Sequence, residues 1–166
     1  MAGVCALADR LCSASANGNL PEVLSLLQNG ADVNGRNAFN RTPLQVAKLG
    51  NTAVIEALLQ AGADPNLRDT VLGLTVTHDT AREGFEDTMR ALLAHGADPN
   101  LVDERGDLPL HSAAKSGSVE AVRLLLAATA NPRQVNRDGE TAEQSAVLRG
   151  WDDTAACIRN YLQGFE

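Results

Sequence analysis

The side chains best suited to chemistry in this 166-residue chain are the adjacent His78 and Asp79 and the thiol of Cys157. Thiol, imidazole and carboxylate are the parts of a nucleophilic set, in which a base activates sulfur and an acid orients the base. Such a set works only where the three groups come within hydrogen-bond reach of one another. With Cys5 and Cys12 the cysteines number three, an odd count with no metal-ligand spacing. No metal or other cofactor is expected, and unpaired thiols suit a reduced compartment, here cytoplasmic and nuclear. Whether the three groups can meet depends on the elements that carry them.

Those elements recur. Gly-Ala-Asp-x-Asn appears at Gly30–Asn34, Gly62–Asn66 and Gly96–Asn100, in steps of 32 and 34. Between its copies runs a second glycine series, Gly18, Gly50, Gly84, Gly117 and Gly150. Two interleaved series with a period of about 33 mark ankyrin repeats. The predicted fold is therefore all-α, an ankyrin solenoid of five helix-turn-helix repeats forming one domain over residues 1–166. The repeats fall near 5–36, 37–69, 70–103, 104–136 and 137–166. Repeat four is the plainest: Pro109 opens a first helix, Ala113-Ala114 permits close packing, Gly117 ends it, and a second helix runs over Val119–Leu126. First helices of the other repeats are predicted within 9–18, 42–50, 75–84 and 141–150. Second helices are predicted near 21–28, 52–60, 86–94 and 152–162.

Two irregularities sit in mid-array. The first helix of repeat two is one residue short, which should reduce it to a single turn or a 3₁₀ piece and weaken that repeat. The turn that opens repeat three, from Asp69, has one residue extra. An array places Cys157 about two repeats from His78 and Asp79. At roughly 10 Å per helix layer the three cannot converge, so the chain is not expected to be an enzyme.

Composition narrows the partners. A net charge of −7 without a basic face argues against nucleic acid and leaves room for a basic protein surface. No run approaches the roughly 18 apolar residues of a membrane span, so no membrane partner is expected. The apolar run from Ala2 to Ala8 lacks a preceding basic region and meets Asp9-Arg10, and no signal peptide is read. No Lys/Arg cluster suggests a nuclear-import signal.

Comparing repeats separates fold from function. His78 shares its slot with His111, Gln45 and Gln144, which favours a hydrogen-bonding structural role. Asp69, Asp103 and Asp138 precede the turns, where a carboxylate can accept backbone N–H groups. Asp79 stands where Ser13, Ser112 and Ser145 stand elsewhere, as a solvated acid or a partner contact. Phe85 replaces Asn19, Asn51 and Ser118, as does Trp151, and is a local plug or an exposed anchor. Asp87 opens a helix, as Glu120 and Asp153 do, where it suits the helix dipole. Arg82 aligns with Lys48 and Lys115 on a solvated basic face.

The segment His78-Asp79-Thr80-Ala81-Arg82-Glu83-Gly84-Phe85-Glu86-Asp87-Thr88 resembles the third repeat of the ankyrin-repeat inhibitors of the cyclin-dependent kinases that pair with D-type cyclins. The short Thr42–Gly50 segment and the long turn from Asp69 to Thr77 are similar to that family's second repeat and following loop. The resemblance runs from about Leu11 to Leu126, and a fifth repeat from Asn136 is that of the longer members. It implies a stoichiometric inhibitor that binds kinases four and six beside the catalytic cleft, distorts the ATP site, opposes cyclin and arrests cells in G1. It implies a tumour-suppressing monomer in which Asp79 pairs with a kinase arginine, while Asp69, Arg82, Glu83, Phe85 and Asp87 match contact positions. Lys48 joins that set at a departure, since the family carries methionines near Ala47 and Lys48. Thr77, Thr80 and Glu86 are further departures. The rival expectation is an ankyrin adaptor with another protein partner.

Overall fold

The structure is a computed structural model describing residues 2–164. Among the described residues there are ten helices and no strand. They are α1 (Ala2–Asn17), α2 (Leu20–Gln28), α3 (Pro43–Val46), α4 (Thr52–Gln60), α5 (Val76–Glu83), α6 (Glu86–Ala94), α7 (Pro109–Ser116), α8 (Val119–Ala128), α9 (Ala142–Leu148) and α10 (Asp152–Gln163). They pair in order into five repeats. None of these helices is long and apolar enough to cross a membrane. The second helices lie close to their predicted bounds. The first helix does not: α1 starts at Ala2 rather than near Asp9, because its alanine-rich segment sustains further turns.

Three of the five first helices, α3, α5 and α9, start on a reciprocal cap. The hydroxyls of Thr42, Thr75 and Thr141 accept the N–H groups of Gln45, His78 and Gln144, whose side chains accept the threonine N–H in return. Leu108 has no hydroxyl to offer, but His111 Nδ1 still accepts its N–H at 3.0 Å. Gly84 and Gly117 end α5 and α7 at φ 77° and 74°, a conformation glycine adopts without strain.

The repeating phrase is a stitch between repeats. Asn34 Nδ2 donates to Gly62 O while Asn34 Oδ1 accepts Asp64 N–H, at 3.1 and 2.9 Å. Asn66 makes the same pair of bonds to Gly96 and Asp98. A second stitch uses the histidines: His78 Nε2 donates to Asp107 O at 2.8 Å and His111 Nε2 to Glu140 O at 3.0 Å. In both rings Nδ1 accepts a backbone N–H, so the tautomer follows from the bonds. The loop position thought to be Asp69, Asp103 and Asp138 is in fact Asn37, Asp69, Asp103 and Asn136. Asn136 Oδ1 accepts the N–H groups of Asp138 and Glu140, as Asp103 Oδ1 accepts those of Arg105 and Asp107.

Both mid-array irregularities are present. Helix α3 is a single turn of four residues. Gly50 is absent from the positive-φ glycines that end other inner helices. Asp69 N–H donates to Leu74 O across the long loop, whereas Asp103 reaches Asp107 one residue sooner. The buried Gln45 Nε2 then has no acceptor, although it occupies the slot from which the histidines stitch. Helix α5 packs on α7, α7 on α9 and α1 on α3, while α3 and α5 are poorly joined. The core accordingly divides. One apolar cluster runs from Leu11 through Ile55 to Leu92, the other from Ala81 and Met89 to Ile158. Repeat three contributes to both, and apart from Pro99 its remaining buried side chains, Thr75, Thr77, His78, Thr80 and Thr88, are polar.

Candidate functional site

Asp79 lies in the first turn of α5, its side chain 25% exposed. Arg82, one helical turn on, places Nη2 2.9 Å from Oδ1. Burial nevertheless holds the Asp79 carboxyl above its ordinary range: attraction from Arg82 opposes this, Asp69 adds repulsion, and His78 and Arg41 attract more weakly. A carboxylate offers about four lone-pair sites, and Arg82 is the side-chain donor that meets this one.

Asp69 has the opposite fate. Burial alone would raise it, but the N–H groups of Leu72 and Val71, at 2.8 and 3.1 Å, with Leu74 and Gly73 behind them, hold it below the ordinary range. It is a satisfied loop anchor whose charge faces Asp79. Arg82 is 56% exposed and also lies 3.6 Å from Glu83 Oε1. Asp69, Asp79, Arg82 and Glu83 therefore share one region.

The remaining predicted residues lie apart. Phe85 covers Gly50, with its ring 3.3 Å from where a Cβ would stand. Trp151 lies in the same way over Gly117, Asn51 over Gly18 and Ser118 over Gly84. The linker residue of each repeat thus covers the preceding repeat's glycine, and Phe85 is a packing plug with one exposed edge. Lys48 lines a shallow groove with it. Asp87, almost wholly exposed, starts the outer helix α6 and lies 3.4 Å from Arg90, which also bonds Glu86. Lys48, Phe85 and Asp87 are not joined to Asp79 by any bond.

Sequence reasoning missed the loop tips. Phe39 and Val71 are 82% and 74% exposed, and Leu72 is exposed too. They border a groove with Arg41, Gln45 and Asp69. The available signal was the Val71-Leu72 pair in the lengthened turn, an apolar couple where turns are usually polar.

No nucleophilic set assembles. His78 is buried with both ring nitrogens bonded, and burial lowers its basicity, although the Asp107 carbonyl and nearby acids oppose that. Cys157 packs against the second core in repeat five. Burial pushes the Cys12 thiol up to about 11, aided by Asp9, an unreactive state. The side chain of Cys5 lies outside the described residues. Among the described residues no cluster of histidine, cysteine and acidic side chains could hold a metal ion.

Fold and site together define an ankyrin-repeat protein built for binding. The family model described as ankyrin repeats (3 copies) matches residues 10–69 and 77–161. Cyclin-dependent kinase 4 inhibitor B of Rattus norvegicus is 41% identical over 100 residues, covering 60% of this chain and 77% of the relative. The Homo sapiens protein of that name is also 41% identical over 100 residues, 60% of this chain and 72% of its own. Cyclin-dependent kinase inhibitor 2A of Homo sapiens is 40% identical over 103 residues, 62% and 66% of the two chains. The chain belongs to this family of ankyrin-repeat cyclin-dependent kinase inhibitors, whose relatives are named as inhibitors and not as enzymes.

Proposed function

We propose that this chain is a stoichiometric inhibitor of cyclin-dependent kinases four and six, acting as a monomer in cytoplasm and nucleus to restrain G1 progression. The observation that carries the proposal is Asp79, a half-buried acid met by Arg82 and repelled by the neighbouring Asp69, whose own loop carries the exposed apolar Val71 and Leu72. A kinase arginine at Asp79 would supply the positive charge that Arg82 leaves insufficient. Phe39, Val71 and Leu72 would exclude water around that pair, making each hydrogen bond count for more. The inhibitor would lie beside the catalytic cleft across both kinase lobes, twist them apart and so spoil the ATP site. Cyclin and inhibitor would then each lower the other's affinity by the same factor. In this reading Asp69 fixes the loop, Arg82 and Glu83 tune the field at Asp79, and Lys48, Phe85 and Asp87 flank the interface.

The test is a titration of the folded chain against isolated kinases four and six, with Asp79→Asn alongside. Tight binding that the variant loses supports the reading. A folded parent that binds neither kinase refutes it.

A further inference from the structure

Across repeats three to five lies a groove of about 290 Å³ whose walls carry Arg82, Arg105, Lys115 and Arg149. Four cations in one groove stand out in a chain of net charge −7. Two are already committed. Lys115 Nζ reaches Asp107 Oδ2 at 2.5 Å, and Arg82 is paired with Asp79. The two acids on the walls are also spent: Asp107 further accepts Asn136 Nδ2 at 2.8 Å, and Asp103 Oδ1 accepts two loop N–H groups. Arg105 and Arg149 are exposed and make no side-chain hydrogen bond or ion pair with the described residues. Leu72 and Leu74 supply an apolar wall beside them.

We infer that this groove is an anion-selective docking surface for an acidic protein segment carrying an aliphatic side chain. Its carboxylates meet Arg105 and Arg149, each guanidinium offering a planar fork that matches a carboxylate, and its aliphatic side chain rests on Leu72 and Leu74. Charge complementarity selects this occupant. The groove presents uncommitted positive charge, whereas Asp79, immediately beyond Arg82, presents an under-compensated negative one. A partner that offers a cation to Asp79 and an acidic stretch to the groove can dock in one direction only, since reversal sets like charges together. The inference does not depend on which protein carries the segment.

The test uses the ¹⁵N-labelled full chain titrated with the synthetic peptide Glu-Glu-Leu-Glu-Glu, with Gln-Gln-Leu-Gln-Gln as control. Amide shifts are expected around Arg105, Lys115 and Arg149 with the acidic peptide and not with the neutral one. The paired substitutions Arg105→Glu and Arg149→Glu, on exposed positions, should weaken the interaction by roughly tenfold or more without lowering the melting temperature. Arg105→Lys and Arg149→Lys should keep most of it. Shifts that are absent, lie elsewhere or survive charge reversal overturn the inference. Since no kinase is present, failure here leaves the inhibitor reading untouched.

Discussion

Arg82 Nη2 lies 2.9 Å from Asp79 Oδ1, yet the Asp79 carboxyl stays above its ordinary range because burial outweighs that pairing. Asp69 takes part in this: its loop N–H bonds keep it ionised, so its charge acts against Asp79. Repeat three thus carries a charge that the folded chain disfavours, at a place where a basic partner could compensate it. Such local conflicts are characteristic of functional positions.

Asp79→Asn should therefore divide binding from stability. The folded state holds the Asp79 proton more tightly than the unfolded one. Its contribution to stability is fully present below the ordinary carboxylate value of about 3.9 and is lost as pH rises through the raised value. At neutral pH the neutral amide removes this loss, so the variant should melt at a higher temperature than the parent. If the carboxylate is desolvated against a kinase arginine, the same change should weaken kinase binding by roughly 2–5 kcal/mol. Melting curves and titrations at neutral pH read both quantities. A lower melting temperature with unchanged affinity would contradict both halves.

The buried histidines predict acid sensitivity of opposite sign. His78 and His111 are neutral, with Nδ1 accepting a backbone N–H, and burial lowers both below the ordinary value of 6.5. Below that value the unfolded chain takes up protons that the folded chain refuses, so stability is present above about pH 6.5 and declines as pH falls. Glutamine occupies the same slot in repeats two and five, accepting the cap N–H through Oε1. His78→Gln should keep the fold and flatten the decline of melting temperature between about pH 6.5 and 5. An unchanged pH profile would place the titrating group elsewhere.

Thr77 is a correctable defect. It is buried, its Oγ1 has no partner, and Leu44 and Leu110 fill the same position in repeats two and four. An unpaired buried hydroxyl costs about 1–3 kcal/mol, and valine has the same shape without it. Thr77→Val should stabilise the chain by about 1–2 kcal/mol in urea unfolding. Loss of stability would mean that the hydroxyl is satisfied in solution.

Most of the fold was legible because its signals are local and periodic. Threonine caps and a glycine every 33 residues bound the helices, and α4 and α6 match their predicted ranges to the residue. The start of α1 was not legible, since the expected boundary rested on alignment to the other repeats. Asp138 was mistaken for the loop anchor because asparagine and aspartate accept the same N–H bonds, and Asn136 does so instead. Asp79 could be found as the acid in a serine position. Whether Phe85 was plug or anchor could not be decided without knowing that it lies over Gly50, 35 positions back in the chain. The apolar tips Phe39 and Val71 escaped because repeat comparison weighs helix positions, whereas their exposure comes from how the loops project.

The seam after repeat two should be the first part of the array to open. Helix α3 is one turn, Gln45 Nε2 lacks the acceptor that His78 and His111 find, and the apolar core divides in repeat three. Solenoid stability sums repeat and neighbour terms, so a weak interface lets the segment beyond it unfold on its own. Repeats three to five keep both histidine stitches and the packing of α5, α7 and α9. Amides of α3 and α4 should therefore exchange with solvent at least about tenfold faster than those of α7 and α8, a difference of roughly 1.4 kcal/mol in opening free energy. Native-state hydrogen exchange measures this directly. Equal protection on both sides of the seam would mean that the α4–α6 contact, the Asn66 stitch, the Thr88 hydroxyl bonded to Leu49 O and the Phe85 ring over Gly50 suffice to make the array one cooperative unit.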